Sequence, residues 1–177
     1  MAKKKKNNNN IYKTATILII AITLIMVIGS IYLLIKANNT LKPDYAPGVI
    51  DKNAVPLPDK DEKMNASEGG GAVSLSYSNK VAINLNTKEL TLYFQNPSKS
   101  THNMVLEVAI TQNNKEVVIA RSDMLPVGYA IYKLKLLDDI KLIEGGYNGK
   151  FNIIYYDEVT GEKAAVNTDI PITIAVE

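Results

Sequence analysis

From residue 72 to the C-terminus, apolar and polar side chains alternate with a period of two. The first run places Val73, Leu75 and Tyr77 between three serines. Such alternation is typical of a β-strand that buries one face and exposes the other to water. The pattern returns in further groups of apolar positions, which are Val81/Ile83/Leu85, Leu90/Leu92/Phe94, Met104/Leu106/Val108/Ile110, Val117/Ile119, Tyr132/Leu134/Leu136, Phe151/Ile153/Tyr155 and Ile170/Ile172/Ile174/Val176.

Short turn sequences separate these runs. They lie at residues 78–79, 96–98, 112–115, 126–128, 144–146 and 157–161. No stretch between them is long and periodic enough to form a crossover helix. The pattern therefore predicts an all-β domain over residues 72–177, built as an antiparallel sandwich of seven to eight strands.

Residues 14–35 form the other strong pattern, an apolar run of 22 residues without a charge. As a helix it would be about 33 Å long, enough to cross a hydrocarbon core of roughly 30 Å. A cleaved secretory signal would have a shorter apolar run that ends in a small-x-small site, and a buried core helix would show a polar face. We predict a transmembrane helix that is not cleaved.

The distribution of charge predicts the orientation of this helix across the membrane. Residues 1–13 hold five lysines and no acid, whereas residues 72–177 carry a net charge of −2. The positive-inside rule places this basic tail in the cytoplasm and the domain outside, in a single-pass plasma-membrane protein whose first partner is the lipid bilayer. The folded part has no basic excess, which argues against nucleic-acid binding. The lysines that set this topology are Lys3, Lys4, Lys5, Lys6 and Lys13.

Between the helix and the sandwich, residues 36–71 show neither helical nor strand periodicity. Four prolines, the charged run 59–63 and the triple glycine 69–71 interrupt the segment. This composition is typical of a flexible linker, which would span on the order of 35 Å. The glycines lack the Gly-Lys-Ser/Thr of a phosphate loop, and the acids lack the turn glycine and distal glutamate of a calcium loop.

A more specific resemblance lies near residue 145. Leu142, Gly145 and Tyr147 form a Leu-x-x-Gly-x-Tyr sequence ahead of a strand. Together with the Asn96-Pro97 turn and the later Pro-x-Gly at 126–128, this resembles membrane-anchored bacterial immunoglobulin-like and fibronectin-like domains over about residues 90–177. The resemblance implies an Ig-like sandwich with a tyrosine corner, in which the Tyr147 hydroxyl bonds back to the chain. The cysteines and core tryptophan of antibody domains are absent.

Candidate catalytic and metal-binding residues are few. The chain has no cysteine and one histidine, His102, which lies near Ser98 and Ser100 in a turn. A nucleophilic site would need a serine, the histidine and a carboxylate facing one another, so we interpret His102 as a solvent-exposed turn residue. The pairs Asp138-Asp139 and Asp157-Glu158 lie near turns and are interpreted as solvating. We expect no cofactor, no metal and no enzymatic activity.

These observations favour a non-catalytic, surface-displayed module that binds or organises another envelope component, either a protein or a cell-wall polymer. Exposed tyrosines favour protein or glycan contact, although the commoner interpretation is a tyrosine that covers an otherwise wet sheet face. Tyr155 and Tyr156 are adjacent, so one of them should lie outside the core. Two alternatives stay open: an accessory structural subunit of a membrane secretion or conjugation machine, and an enzyme acting on envelope polymer.

Overall fold

The computed structural model describes residues 5–40, 44–58, 61–68, 70–112 and 114–177. Two compact units result, Met1–Pro43 and Asp44–Glu177. Of the topology lysines, Lys3 and Lys4 lie outside the described residues, and Lys13 is exposed.

The first unit is built on one helix, α1 (Lys5–Thr40). Within it, Tyr12–Leu33 is a stretch of 22 residues with a mean hydropathy of 2.6 and no buried part, long and apolar enough to cross a membrane. The hydroxyls of Thr16, Thr23 and Ser30 each donate to the carbonyl oxygen four residues earlier in the helix. Their polar groups are thus satisfied inside the helix.

The described residues of the second unit form nine β-strands. Their bounds are β1 (Ala54–Pro56), β2 (Ser76–Tyr77), β3 (Lys80–Asn84), β4 (Glu89–Asn96), β5 (His102–Gln112), β6 (Lys115–Arg121), β7 (Tyr129–Lys135), β8 (Gly145–Asp157) and β9 (Lys163–Val176). The strand order is β1-β7-β4-β3-β9-β8-β5-β6, and β2 pairs with β4 beside β3. All pairs are antiparallel except β3 and β9, which run parallel over Lys80↔Thr173 to Ile83↔Val176.

This order is that of an immunoglobulin-like sandwich. In such a fold one sheet contains strands A, B, E and D, and the facing sheet contains C, F and G. Here β3, β4 and β7 take the places of A, B and E, while β5, β8 and β9 take those of C, F and G. The predicted Ig-like, all-β fold preceded by one apolar helix is confirmed. β1 stands in the place of strand D, although it precedes strand A in the sequence.

The core lies between the two sheets and follows the predicted alternation. β9 buries Ile170, Ile172, Ile174 and Val176 and exposes the residues between them. In β4 the alternation continues through Phe94, whose ring lies 5.7 Å from that of Phe151 on β8 at an angle of 76°. These inward side chains form one continuous cluster that spans both sheets.

β5 departs from this pattern because both of its faces are buried. All residues from Met104 to Ile110 are buried, so its outward side chains are covered as well. Val105 joins Ile154 and Tyr156 in a second, smaller apolar cluster, against which Ala46 packs. The outer face of this sheet is therefore covered in part by a segment that precedes the predicted domain.

That segment belongs to the region expected to be a flexible linker. We call residues 44–75 the lead-in. The backbone of Ala46 donates to Gly161 O at 2.9 Å, and that of Lys163 donates to Asp44 O at 2.8 Å. Further along, the carboxylate of the buried Asp51 accepts hydrogen bonds from the backbone N–H groups of Asn53 and Asp123. The structure thus differs from the linker predicted over residues 36–71, because much of it pairs with the domain from Asp44 onward.

Candidate functional site

The turn between β4 and β5 carries the hydroxyls that raised the question of a Ser–His site. Ser98 Oγ accepts from the N–H of Asp61 at 2.7 Å. Ser100 Oγ, fully buried, accepts from the N–H of Ser74 at 3.0 Å and donates to Ser74 O at 3.1 Å. Thr101 Oγ1 is bonded in the same way to the backbone of Ala72. The three hydroxyls hold the lead-in.

His102 is half-buried at the start of β5, not solvent-exposed as predicted. Its Nδ1 lies 2.9 Å from Thr101 Oγ1. Its ring packs against Gly71, where an added Cβ would approach the ring to 2.2 Å. A side chain at position 71 would therefore force the His102 ring or the lead-in to shift. Neither Ser98 nor Ser100 is hydrogen-bonded to the histidine in the part of the chain that the structure describes, so the arrangement offers no activated nucleophile.

Three of the four candidate carboxylates, Asp138, Asp157 and Glu158, make hydrogen bonds or ion pairs with other residues of the same unit. Asp157 Oδ1 accepts from the N–H groups of Val159 (2.9 Å) and Thr160 (2.7 Å), which closes the β8–β9 turn. The bond from Thr160, followed by that from Val159, lowers the pKa of the Asp157 carboxyl. Glu158 pairs with Lys63 of the lead-in, and Asp138 lies 3.8 Å from Lys135. Among the described residues no three acidic or histidine side chains are grouped to hold a metal ion.

Polar side chains also form a network on the outer face of β5, β6 and β8. Glu107, which is buried, pairs with Arg121 at 3.2 Å and accepts from Asn152 at 2.7 Å. Lys150 lies 2.6 Å from Asp169 and 2.7 Å from Glu116. Hydrogen bonds to these two carboxylates, with that to Asp169 the larger cause, raise the pKa of Lys150. Each charge has a partner, which is the arrangement of a structural cross-strand network.

The residues proposed for the tyrosine corner lie where β8 begins. The Tyr147 hydroxyl donates to Ile143 O at 3.1 Å and accepts from the N–H of Ile143 at 3.3 Å. Gly145 has a φ of +144°, which side-chain-bearing residues rarely adopt. Leu142 and Tyr147 both pack against the main core cluster.

The adjacent tyrosines near the end of β8 correct the sequence-based expectation of an exposed ring. Tyr155 points into the main core and Tyr156 into the second cluster, so they do occupy opposite faces. Both are nevertheless buried, at 4% and 1% exposure. Burial raises the pKa of each hydroxyl. Because the lead-in covers the outer face, a side chain can leave the main core and still be buried.

An exposed tyrosine does occur on the opposite sheet. Tyr132 on β7 is 41% exposed, and its ring centroid lies 5.9 Å from that of Tyr93 on β4. The register between β4 and β7 shifts between Thr91 and Phe94, so two β4 residues oppose Tyr132. This bulge brings the two rings together on the outer face. The alternation in the sequence did not indicate Tyr93 because it cannot show a bulge.

Tyr132 borders an open groove of about 390 Å³. Gln95 of β4 also lines it. One wall comes from the lead-in after β1, another from the residues around β2, and a third from the β4–β5 turn. The remaining lining residues are Leu57, Pro58, Asp61, Ser74, Leu75, Ser76, Pro97, Ser98 and Lys99. The groove thus joins an aromatic ring to amide, hydroxyl and charged groups, and Leu57, Pro58 and Asp61 of its wall come from the segment expected to be a linker.

No protein-family model matches this chain, and no curated protein does. Three solved structures of pilus proteins show limited similarity. One is a chaperone–tip adhesion subunit complex (CsuC–CsuE) of archaic Csu pili from Acinetobacter baumannii, with a TM-score of 0.35 and 13% identity, covering 59% of this chain and 56% of that one. The Ig-like assignment therefore rests on the strand order itself.

The other two similar structures are from Escherichia coli. AggA, the major subunit of aggregative adherence fimbriae type I, has a TM-score of 0.34 and 8% identity and covers 66% of this chain and 100% of that one. The CooA pilin subunit of an enterotoxigenic strain has a TM-score of 0.28 and 13% identity, with coverages of 59% and 98%.

Proposed function

We propose that this chain is a single-pass membrane protein whose Ig-like domain works outside the cytoplasm as a non-catalytic binding module for another envelope component. The observation that carries the proposal is the segment Tyr12–Leu33, which is apolar and unburied throughout. It precedes a unit with a core of its own. A described helix that is long and hydrophobic on all sides supports a lipid surrounding.

Orientation follows from the lysines ahead of the helix. Lys13 and the four lysines at residues 3–6 carry five positive charges with no acid, a bias that retains this end in the cytoplasm. Because the chain lacks cysteine, single-cysteine variants report each side separately. Val159 is 93% exposed, so Val159→Cys should react with a membrane-impermeant maleimide in intact cells. Asn10→Cys should react only after lysis. The opposite labelling pattern would overturn the orientation.

The anchor is distinguished from a cleaved signal by the size of the mature chain. We expect the membrane fraction to contain the full-length protein, resistant to extraction by high salt and released by detergent. A shorter, soluble chain outside the cell would contradict the anchor and would leave the domain as a secreted module.

A binding role is supported by what the polar residues do. The hydroxyls of Ser98, Ser100 and Thr101 hold the lead-in, Asp157 closes a turn, and Glu158 pairs with Lys63. The exposed ring of Tyr132 and the side chains of Gln95, Ser74 and Ser76 in the groove beside it have no such hydrogen bond among the described residues. Full-length protein in lipid nanodiscs should co-sediment with insoluble envelope material. Exchange of residues 1–35 for an unrelated anchor should leave this retention unchanged if the domain alone binds the envelope. Loss of function after the same exchange would instead favour an accessory subunit of a larger membrane machine, in which the helix itself takes part.

A further inference from the structure

The groove beside Tyr132 contains polar groups that the fold leaves unused. Gln95 is half-buried, yet its side-chain amide has no hydrogen-bond partner within the described ranges of the chain, and the same holds for the hydroxyls of Ser74 and Ser76. The neighbouring hydroxyls of Ser98 and Ser100 are bonded to the lead-in. Half-buried donors and acceptors need a partner, which is either water or a ligand that replaces it.

The aromatic part of the groove needs a different kind of contact. The Tyr132 ring is partly exposed and held in place by its neighbour Tyr93. A tyrosine ring offers an apolar surface together with a polar hydroxyl. A ligand that covers the ring and also satisfies the Gln95 amide must combine an apolar face with closely spaced hydroxyl groups. A sugar ring has this combination.

The charges of the groove favour an uncharged ligand. Asp61 and Lys99 are the charged residues in its described lining, one of each sign. They cancel, so the groove offers no excess positive charge to a phosphate-containing polymer and no excess negative charge to a basic peptide. The groove's 390 Å³ falls within the roughly 300–1,000 Å³ typical of small-ligand sites.

An extended peptide is disfavoured by the strand pairing. A peptide that binds by strand addition needs a free sheet edge. At the groove, Gln95 pairs with Ser76 on one side and with Ala130 on the other. Ala130 in turn pairs with Val55 of β1. The backbone ladder is therefore occupied across the floor of the groove, and only side chains are available to a ligand.

We propose that this groove binds a neutral oligosaccharide, with the Tyr132 ring stacking on a sugar face and Gln95 hydrogen-bonding to its hydroxyls. This inference rests on the proposed binding function and names the chemistry of the partner. It also gives the lead-in a role in the site, because Leu57, Pro58 and Asp61 form one wall.

The test uses the full-length chain in lipid nanodiscs, since glycosidic detergents would themselves present sugars. Chitotetraose, cellotetraose and maltotetraose serve as probes, with calorimetric titration as readout. We expect at least one probe to bind. Tyr132→Ala and Gln95→Ala should each weaken that binding by about tenfold or more, or abolish it. Tyr132→Phe should retain most of it because the ring remains.

Thr91→Ala is the matched control, an exposed position on the same strand as Gln95 and outside the groove lining. It should bind as the parent does, and unchanged unfolding midpoints would show that each variant is folded. Binding to a neutral probe should also be the same at about 50 and about 500 mM salt, since no net charge is matched. Strongly salt-dependent binding to an anionic polymer instead would overturn the inference.

Two further outcomes separate this inference from the proposed function. Absence of binding to all three probes, or binding that survives both alanine substitutions, would refute the sugar site. If the chain is nevertheless anchored and retained on envelope material, the binding function stands with another partner or surface. If the chain neither binds the sugar probes nor is retained on envelope material, both the sugar site and the proposed binding function would be refuted.

Discussion

The sandwich strands and the lead-in differ in what holds them in place. In β9, four apolar side chains at every second position enter a core shared by both sheets. The apolar groups that the lead-in contributes are only partly buried, chiefly Ala46, Ala54 and Leu75 at the margins of the clusters. It is fixed by hydrogen bonds from its backbone N–H groups to the side chains of Ser98 and Ser100. Its own Asp51 carboxylate also accepts a hydrogen bond from the N–H of Asp123 in the domain. One region is held by burial and the other by specific polar partners.

This difference leads to different stabilities. Burial of apolar area contributes to the free energy of folding of the whole sandwich, whereas a set of surface hydrogen bonds can open without unfolding the rest. We therefore expect the lead-in to detach from the sandwich at a lower free energy than the core requires to unfold. Four substitutions test this contrast.

The largest effect should come from the core. Phe151 is fully buried and contacts the rings of Phe94 and Tyr77. Phe151→Ala should lower the free energy of unfolding by about 3–5 kcal/mol because it leaves a cavity between the sheets. Urea unfolding of the full chain, followed by tyrosine fluorescence, measures the change. Val159→Ala, at an exposed turn position, is the control and should change stability by no more than about 0.5 kcal/mol. Equal effects would contradict a core at Phe151.

Removal of one hydroxyl should loosen the lead-in without this global loss. Ser100 is buried, and its Oγ bonds to both the N–H and the carbonyl of Ser74. Ser100→Ala should lower the free energy needed to detach the lead-in by about 1–3 kcal/mol, because the N–H and the carbonyl of Ser74 lose their partner. Hydrogen exchange should increase over residues 61–75 and remain slow in β8 and β9.

The control for that experiment is Ser98→Ala, which removes a single, exposed bond to Asp61 and should have a smaller effect. If exchange in Ser100→Ala rose equally in all strands, the lead-in would be part of the same cooperative unit as the core. The contrast between the two regions would then be lost.

Tyr147→Phe tests the proposed tyrosine corner, a polar bond that belongs to the sandwich itself. It removes only the hydroxyl that bonds to the backbone of Ile143 and keeps the ring against the core. We expect a loss of about 1 kcal/mol, visible as a lower urea midpoint with an unchanged slope. A fully neutral substitution would show that the Leu142–Gly145–Tyr147 arrangement contributes through packing alone.

The smallest effect should come from Asp157, at the turn where the lead-in meets the β8–β9 hairpin. Its pKa is lowered in the folded state by the N–H groups of Thr160 and Val159. The stabilisation is therefore complete above the unfolded pKa of about 3.9 and is lost as the pH falls through the lower folded pKa. Asp157→Asn should be less stable than the parent at pH 7, and the two should converge at strongly acidic pH. If the difference in unfolding free energy between parent and variant were the same at all pH values, it would not arise from the ionised Asp157 carboxylate.

The same contrast explains what the sequence could predict. The alternation in β3, β4 and β9 is a local property of the chain, and it indicated the strands and the sandwich correctly. β5 was less readable as a one-sided strand because Val105, Glu107 and Ala109 are also buried. The partners that cover Val105, namely Ala46, Ile154 and Tyr156, lie far from it in the sequence.

The lead-in could not be recognised for a related reason. Its prolines and charges are typical of a linker, and the groups that fix it lie elsewhere in the chain, as in the bond between Asp61 N and Ser98 Oγ. A serine in a turn gives no sign of what it will bind. The groove was missed with it, because one wall is the lead-in and the Tyr93–Tyr132 contact depends on a bulge.

The path of the lead-in has a mechanical consequence for a chain that is tethered at its N-terminal side. Tension between the tether and a partner bound to the domain would enter at Asp44, which is joined to Lys163 through a backbone bond and an ion pair. These bonds, with the one between Ala46 and Gly161, would carry the load before any core strand does. Breaking these bonds would lengthen the tether while the sandwich stays folded, so extension of the lead-in would limit the force that reaches the core strands.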